Sequence, residues 1–453
     1  MDRQKMLIDE SVGKLLFKLS IPAMIGMLVQ SLYNFVDTVF VGQAVGPLGI
    51  AGVSISFPMQ IFVMAFAMLI GIGGASIISR SLGASENEKA NHTAGNVVVV
   101  VIFFGVIMAI TGTVFLEPLL KILGASPTIM PYASDYLSVI LFGTIFFSFA
   151  MATNNIVRAE GNAKIAMYTM LISAILNIIL DPIMIFVFDM GVRGAAIATV
   201  IAQSVTSLYL LVYFIRGKSL LTIKLRHLKP DKLIIKESFA IGSSAFARQI
   251  AGSVLGVIMN NLLISYGGDI SVAVFGVINR LFMVFLMPML GINQGFMPIL
   301  GFNYGANKIY RATKVIKLST FWATIISIGA FLVIYLFPSF LLSMFSNDEI
   351  LLEQGVKTIR IVGLLLPFVG IQVIGAGMFQ ALGKAIPALL LSMSRQILFL
   401  IPLILILPNF FGLNGIWISF PIADFSAFSV TMIFFLREMK KFKSQAILQE
   451  KTI

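Results

Sequence analysis

The sequence predicts an all-α polytopic membrane protein with twelve transmembrane helices. Of its 453 residues, 58 % are hydrophobic and only 11 % are charged, whereas a soluble domain has about 25 % charged residues. The mean hydropathy of +0.98 leaves more apolar surface than a water-soluble core can bury. Apolar runs of about 20 residues, the length needed to cross a bilayer, recur along nearly the whole chain.

Charged or turn-rich breaks divide the apolar sequence into twelve spans, numbered in chain order. The longest spans must tilt, bend or protrude from the bilayer. We expect no cleavable signal peptide, because the polar start leads into an apolar run without a small-residue cleavage site. The predicted spans are 15–39, 48–81, 94–116, 131–157, 163–188, 193–215, 237–265, 270–301, 314–336, 355–382, 385–410 and 412–437.

The positive charges indicate the orientation of these spans. Lys and Arg cluster at both termini and in the loops after even-numbered spans, while the other loops hold only Lys121, Arg193, Lys357 and Arg360. The positive-inside rule therefore places both termini in the cytoplasm of a cell whose plasma membrane holds the chain. The net charge of +12 then reflects orientation and contact with membrane lipids rather than nucleic-acid binding.

The basic stretch 216–236 is the longest polar interruption and falls near the midpoint. It predicts a cytoplasmic linker between two six-helix lobes, residues 1–215 and 237–453. We expect the chain to work as a monomer.

Glycine-containing motifs indicate that the two halves are copies of one unit. Because six spans is an even number, both copies face the same way in the membrane. The duplication predicts pseudo-two-fold symmetry about the membrane normal and a cavity between the lobes. Three pairs of glycines align in order at nearly one sequence offset, namely Gly83 with Gly305, Gly161 with Gly383, and Gly191 with Gly412.

Polar side chains recur every three to four residues on three spans of the first half, so each set lies along one helical face. Two of these stripes end in an aspartate. A carboxylate inside a membrane costs about 2.5–3.5 kcal/mol on insertion scales, so we expect Asp37 and Asp181 to be functional, whereas lone Ser and Thr more often join helices. The stripes are Gln30, Tyr33 or Asn34, and Asp37 on span 1; Thr169, Ser173, Asn177 and Asp181 on span 5; and Thr199, Gln203 and Thr206 on span 6.

Two carboxylates with Asn and Thr oxygens form a hard oxygen site, suited to a proton, Na⁺ or an organic cation. Pro182 lacks a backbone donor, which predicts a weakened turn beside Asp181. We expect the polar residues of span 1 to contact substrate. Flexible methionines such as Met287 suit a promiscuous apolar pocket.

Other embedded charges offer further candidates. Asp424 on span 12 has Arg280 as a candidate partner. Glu160, at the end of span 4, either binds substrate or forms an ion pair with Arg158 or Lys164. No GxxxxGK[ST] motif is present, so the sequence gives no support for an ATP-driven pump.

Three motifs together resemble the multidrug and toxic compound extrusion (MATE) transporters over essentially the whole chain. They are "SLYNFVDTVFVG" at 31–42, "RAEGNAK" at 158–164 and "NIILDP" at 177–182. The resemblance implies a V-shaped bundle of two lobes. It also implies export of cationic or amphipathic drugs in exchange for H⁺ or Na⁺, with no cofactor.

The resemblance also implies specific site residues. The first-lobe cation site of these transporters maps onto Asp37, Asn177, Asp181 and Thr199, which would be the ligands of Na⁺ if Na⁺ is the coupling ion. Glu160 matches a position implicated in substrate handling. Another branch of the family has acidic residues deep in spans 7 and 10, which are missing here. Asp424 is then the only acidic candidate for a site in the second lobe.

Two other functions stay open beside a cation-coupled antiporter. A lipid-linked precursor flippase of the same superfamily needs several buried bases, and this chain offers Arg248, Arg280 and Arg395. A membrane-embedded transferase, the enzymatic alternative, needs clustered carboxylates for Mg²⁺ or interfacial His and Cys. The chain has two histidines and no cysteine, so we expect a transporter and not an enzyme.

Overall fold

The computed structural model describes residues 3–346 and 348–450, without the side chains of Asn34, Phe35, Thr38, Leu448 and Glu450. Every regular element in these residues is helical, and none of them forms a strand. Ten helices are long and apolar enough to cross a membrane, and one bent helix pair adds an eleventh span. The longest helix contains two spans, which gives the twelve that the sequence predicts.

The helices of the first half match the predicted spans 1 to 6. They are Val12–Val45, Pro47–Gly83, Asn87–Val114, Met130–Ala159, Ala163–Pro182 continued by the π-helix Ile183–Val187, and Gly191–Ile215. The second half contains Lys232–Gly305 (spans 7 and 8), Ile309–Leu336 (span 9), Glu349–Val362 with Leu366–Phe368 and Val369–Ala381 (span 10), Ala385–Met393 with Ser394–Leu400, Ile401–Ile406 and Pro408–Phe411 (span 11), and Leu413–Glu450 (span 12). Short helices occupy Arg3–Asp9, Leu116–Ile122, Leu225–Leu228 and Pro338–Ser343.

Two predicted boundaries differ from the structure. Spans 7 and 8 form one 74-residue run that is interrupted only at Gly268, where the backbone is left-handed (φ 66°). Span 10, predicted over 355–382, begins at Glu349 and bends by 42° after Val362. Pro367 lies at the bend and cannot donate a helical hydrogen bond.

The two halves share their backbone conformation at equivalent turns. Residues with a left-handed backbone recur in pairs at the spacing of the sequence repeat. One such pair separates spans 1 and 2 at Gly46 and spans 7 and 8 at Gly268. The pairs, with φ, are Gly46 (72°) and Gly268 (66°), Ser85 (62°) and Asn307 (55°), Gly161 (79°) and Gly383 (74°), and Gly191 (51°) and Gly412 (55°). These pairs agree with a duplicated six-span unit.

Buried apolar residues form one large core cluster that draws on both halves, together with smaller clusters that each lie within a single half. The shared cluster includes Leu7, Leu82, Phe302 and Phe442. It therefore lies toward the end of the bundle where both described termini and the ends of spans 2 and 8 meet. We call this end the terminal face. The two lobes are joined there, and each lobe also contains core clusters of its own.

Small residues allow the lobes to pack backbone against backbone. A Cβ atom on Gly73 of span 2 would overlap the carbonyl oxygen of Ser238 on span 7. A Cβ atom on Gly242 of span 7 would overlap the carbonyl oxygen of Leu69 on span 2. Close approach of helices through small residues is the usual way that membrane helices gain packing contacts.

The segment 216–236 packs along span 3. The backbone N–H of Thr222 donates to Asn91 Oδ1 (2.9 Å), and the Asn96 side chain bonds the backbone of Lys229 and Asp231. The division of the chain into 1–215, this linker and 237–453 stays a prediction.

Candidate functional site

The two aspartates singled out in the sequence are brought together by spans 1 and 5. Asp181 is fully buried and Asp37 is half-buried, and their carboxyl groups lie close enough to interact. Two neighbouring carboxylates repel each other unless a proton or a cation lies between them. A single positive charge between the two carboxylates would relieve this repulsion.

Asn177 connects this pair to span 6. Its amide Nδ2 donates to Asp181 Oδ1 and to Thr199 Oγ1, each at 3.2 Å. Asn177 lies one helical turn before Asp181, so both side chains point the same way. All four residues mapped from the family resemblance thus lie in one cluster.

Three oxygen atoms of this cluster are buried without a hydrogen-bond partner, namely Asp37 Oδ1, Asn177 Oδ1 and Asp181 Oδ2. Carboxylate and amide oxygens accept hydrogen bonds, so each of these atoms calls for a donor or a cation. An unsatisfied buried acceptor costs about 1–3 kcal/mol. A bound proton or small cation removes this cost, and the cluster fits either ion.

The helix of span 5 changes its winding next to the cluster. The α-helix ends at Pro182, directly after Asp181, and residues Ile183–Val187 continue as a π-helix. Proline removes a backbone donor from the helical ladder, and π-helical turns are frequent at functional sites. The weakened turn predicted beside Asp181 is present.

Tyr33 and Gln30 of the span 1 stripe lie beside the aspartates. Gln30 Nε2 donates to the Tyr33 hydroxyl at 3.1 Å, and Tyr33 is close enough to interact with Asp37 and Asp181. The side chain of Asn34 lies outside the described part of the chain. Met287 is half-buried on span 8, in the opposite lobe.

Sequence reasoning missed two residues near the pair. Tyr136 of span 4 is 4 % exposed, interacts with Asp37 and shares a hydrogen bond with Gln60 of span 2. Neither residue belongs to a polar stripe, so no periodic signal distinguishes them in the sequence. They extend the polar surroundings of the aspartates to spans 2 and 4.

Asp424, the only acidic candidate in the second lobe, is neutralised by a base. Arg395 donates through Nε and Nη2 to the two carboxyl oxygens of Asp424. The proposed partner Arg280 is therefore wrong, because Arg395, in the π-helical part of span 11, reaches the carboxylate instead. Gln372 Nε2 adds a hydrogen bond to the Asp424 carbonyl oxygen at 3.1 Å.

Glu160 lies at the terminal face and not with the aspartate pair. Its fully buried carboxylate accepts hydrogen bonds from Arg3, from the hydroxyl of Ser219 at 2.7 Å and from the backbone of Leu220 at 2.7 Å, as well as from Tyr213. The predicted pairing with Arg158 or Lys164 is wrong, because Arg3 of the N-terminal helix forms the ion pair.

The surroundings of Glu160 act on its charge in opposite directions. Burial raises the pKa of the Glu160 carboxyl, while the Arg3 charge and the hydrogen bond from Tyr213 lower this pKa. Burial is the larger effect, so the pKa lies above the ordinary value for Glu. A negative charge on the Glu160 carboxylate is therefore unfavourable even with its hydrogen-bond partners in place.

The chain's two histidines also meet, although they lie on span 3 and in the distant linker. His92, His227 and Glu88 offer ligand atoms within 4.8 Å of one another. However, both ring nitrogens of His227 already have partners. Nδ1 accepts the backbone N–H of Lys224 at 3.0 Å, and Nε2 contacts Arg226 Nε at 3.2 Å and Glu88 Oε2 at 3.1 Å. These contacts hold the linker on span 3.

Three comparisons relate this geometry to known proteins. The MatE family model matches residues 22–183 and again 245–406, once in each half of the chain. The multidrug export protein MepA of Staphylococcus haemolyticus is 30 % identical over 418 residues, which cover 92 % of this chain and 91 % of that protein.

Solved structures of similar proteins cover nearly the whole chain. The MATE multidrug transporter DinF-BH, solved in complex with a ligand, is 46 % identical, with a TM-score of 0.90 over 96 % of this chain and 97 % of that one. A MATE in complex with MaL6 is 28 % identical, with a TM-score of 0.91 over 98 % of this chain and 99 % of that one.

Proposed function

The chain belongs to the MATE family of membrane transporters, and we propose that it is a secondary active exporter of cationic or amphipathic organic compounds, driven by the entry of H⁺ or Na⁺. Its MepA relative is a multidrug export protein, and DinF-BH is a multidrug transporter solved with a ligand bound. In this proposal Asp37 and Asp181 are the coupling site.

The observation that carries this proposal is a difference between the lobes. The first lobe holds two neighbouring carboxyls with no base within ion-pair distance among the described residues, whereas the carboxylate of Asp424 in the second lobe is paired with Arg395. An intramembrane carboxylate without a counter-ion marks an ion or substrate path. The unpaired oxygens of the first lobe can exchange one cation for another, while those of Asp424 are already occupied by Arg395.

The residues of the coupling site fit both candidate ions. A proton bridges two carboxyls directly, and Na⁺ is a hard cation that takes carboxylate, amide and hydroxyl oxygens. Asp37, Asn177 and Asp181 supply unpartnered oxygens, and Thr199 adds its hydroxyl. A bound drug cation meets the same negative charge, so it and the coupling ion compete for the site.

Alternating access follows from this competition. In the proposed cycle the terminal face is cytoplasmic, and its closure directs the cavity outward. Ion entry neutralises the aspartate pair, and the drug cation leaves because its electrostatic attraction is lost. The π-helical turn after Pro182 lets span 5 bend as the charge changes, and the lobes then rock about the site.

The substrate surface combines charge with adaptable apolar groups. Tyr33 and Gln30 lie beside the aspartates, and Met287 contributes a flexible thioether from the opposite lobe. The flippase alternative is less well supported, because Arg395 is neutralised by Asp424 and leaves fewer bases for an anionic head group. We propose that the chain works as a monomer in membrane lipid.

Transport into proteoliposomes tests the proposal. The purified chain is reconstituted, a fluorescent cationic dye is supplied, and either a pH gradient or a Na⁺ gradient is imposed. Gradient-driven dye transport is expected for the native chain with one of the two ions. Asp37→Asn and Asp181→Asn are expected to abolish this transport while the purified variants keep native-like unfolding behaviour.

Asp135→Asn serves as the matched control, because Asp135 is an exposed carboxylate on span 4. This control should transport like the native chain. Undiminished gradient-driven transport by both Asp37→Asn and Asp181→Asn would rule out the coupling site. Dye movement that is equal with and without an ion gradient would indicate a passive channel instead.

A further inference from the structure

Arg158 is a buried cation without a counter-ion. Its side chain lies in the last turn of span 4, where the residue is 7 % exposed. Nε donates to Asn154 Oδ1 at 2.9 Å, Nη2 contacts the Met170 sulfur at 3.3 Å, and Nη1 is buried without any partner. Arginine stays protonated in proteins, so this guanidinium brings a full positive charge into the lobe interface.

Three other partly enclosed basic residues differ from Arg158 in having a carboxylate. Arg3 pairs with Glu160, Lys384 with Glu438, and Arg395 with Asp424. No carboxylate contacts Arg158 in the part of the chain that the structure describes. Because a buried charge without a counter-charge is strongly unfavourable, the free Nη1 group indicates that an anion completes this site.

A small cavity is lined in part by Arg158. Its volume is about 20 Å³, which is room for one water-sized particle. Spans 2 and 4 of the first lobe and spans 8 and 10 of the second lobe line it. The polar lining residues are Ser76, Ser79, Asn155, Arg158 and Gln294.

The lining offers donors but no acid. Asn155 Nδ2 donates one of its two hydrogens to the Met151 carbonyl oxygen, which leaves the second hydrogen. Gln294, from the opposite lobe, lines the cavity with a half-buried amide. A guanidinium and two amide groups beside a cavity of this size suit a monatomic anion.

We propose that this cavity binds a chloride ion between Arg158, Asn155 and Gln294. Because Gln294 belongs to the second lobe and Arg158 to the first, the anion holds the lobes together where the terminal face is closed. Opening of that face separates the donors and releases the ion. The site is distinct from the aspartate pair, and its existence does not depend on what the chain exports.

Thermal unfolding of the purified full-length chain tests the proposal. The chloride concentration is raised step by step by replacing gluconate with chloride, so that the ionic strength stays constant. The unfolding midpoint of the native chain should rise saturably, by about 2 °C or more, because a ligand that binds only the folded state stabilises it. Arg158→Gln should abolish this rise, and Arg158→Lys should keep part of it.

Arg80→Gln is the matched control. Arg80 lies at the same lobe interface but pairs with Glu237 at 2.8 Å, so this variant should keep the chloride-dependent rise even if its midpoint is lower. Equal midpoints in chloride and gluconate for the native chain would overturn the proposal, as would a full chloride effect in Arg158→Gln. If Arg158→Gln does not fold, native crystals grown in bromide decide: anomalous density at the Arg158 guanidinium supports the site, and its absence there overturns it.

Discussion

Gly83 and Gly305 pack reciprocally across the lobe interface. A Cβ atom on Gly83 would overlap the carbonyl oxygen of Phe302, and a Cβ atom on Gly305 would overlap the carbonyl oxygen of Arg80. The two glycines and the two carbonyls occupy equivalent positions of the sequence repeat, so the contact obeys the pseudo-two-fold symmetry. The terminal face is therefore closed by two equivalent backbone contacts.

This reciprocity predicts matched effects of two substitutions. Gly83→Ala and Gly305→Ala should each destabilise the closed terminal face by about 1–3 kcal/mol, the usual cost of overpacking. Distances between spin labels placed on the two lobes at this face should lengthen similarly in both variants. Gly256→Ala and Gly329→Ala are controls, because a Cβ there meets no other atom within 4 Å. Unchanged distances in both test variants would contradict the prediction.

Asn177 should set the ion affinity of the proposed coupling site. Its amide donates to Asp181 and to Thr199, and a hydrogen bond to a charged group contributes about 1.5–3 kcal/mol. Asn177→Ala should therefore raise the H⁺ or Na⁺ concentration that gives the half-maximal transport rate about tenfold or more. Asn260→Ala, at an exposed position of span 7, should leave it unchanged. An equal half-maximal concentration in Asn177→Ala would argue against this role.

The Arg395–Asp424 pair should be structural. Removing one partner leaves a charge in the lobe interior, so Asp424→Asn should lower the free energy of unfolding by about 2–3 kcal/mol, less than for a fully enclosed pair, since Arg395 is 31 % exposed. The double variant Arg395→Met with Asp424→Leu should recover most of this loss. Both variants should keep ion-driven transport, assayed in proteoliposomes. Loss of ion coupling in the well-folded double variant would instead indicate a second coupling site.

The buried Glu160 should make stability depend on pH. Because burial raises the pKa of this carboxyl, its stabilising contribution is complete below the ordinary value of about 4.3 and is lost as the pH rises through the raised, folded-state pKa. The unfolding midpoint of the native chain should therefore fall relative to that of Glu160→Gln as the pH increases. A midpoint that rises with pH relative to Glu160→Gln would show that Arg3 and the hydrogen bonds outweigh burial.

The spans and the cluster proposed as the coupling site were predictable because both depend on local periodicity. Apolar runs of bilayer length identify helices, and the spacing of Asn177 and Asp181 places both on one helical face. The internal repeat was equally visible, since both copies of the duplicated unit keep the turn glycines in order. The bend in span 10 was not visible, because Pro367 can either kink a helix or begin one.

Ion pairs were the least predictable part of the site. Arg280 and Arg395 were equivalent as bases on apolar helices, and only packing placed Arg395 on Asp424. Arg3 lies 157 residues from Glu160, so no sequence spacing connects them. Tyr136 and Gln60 were missed because no sequence spacing connects them to each other or to the aspartates.

The sequence by itself therefore determined that this chain is a twelve-span duplicated membrane protein with aspartates in its first lobe, because hydropathy, helical spacing and repeat offset act over short or regular separations. Tertiary structure decided which charges are neutralised. It left the first-lobe carboxyls and Arg158 without partners of opposite charge in the described chain, and it paired Asp424 and Glu160. That outcome depends on which distant helices come into contact. The attraction between two charges decreases with the distance between them in space, and only the folded chain defines that distance.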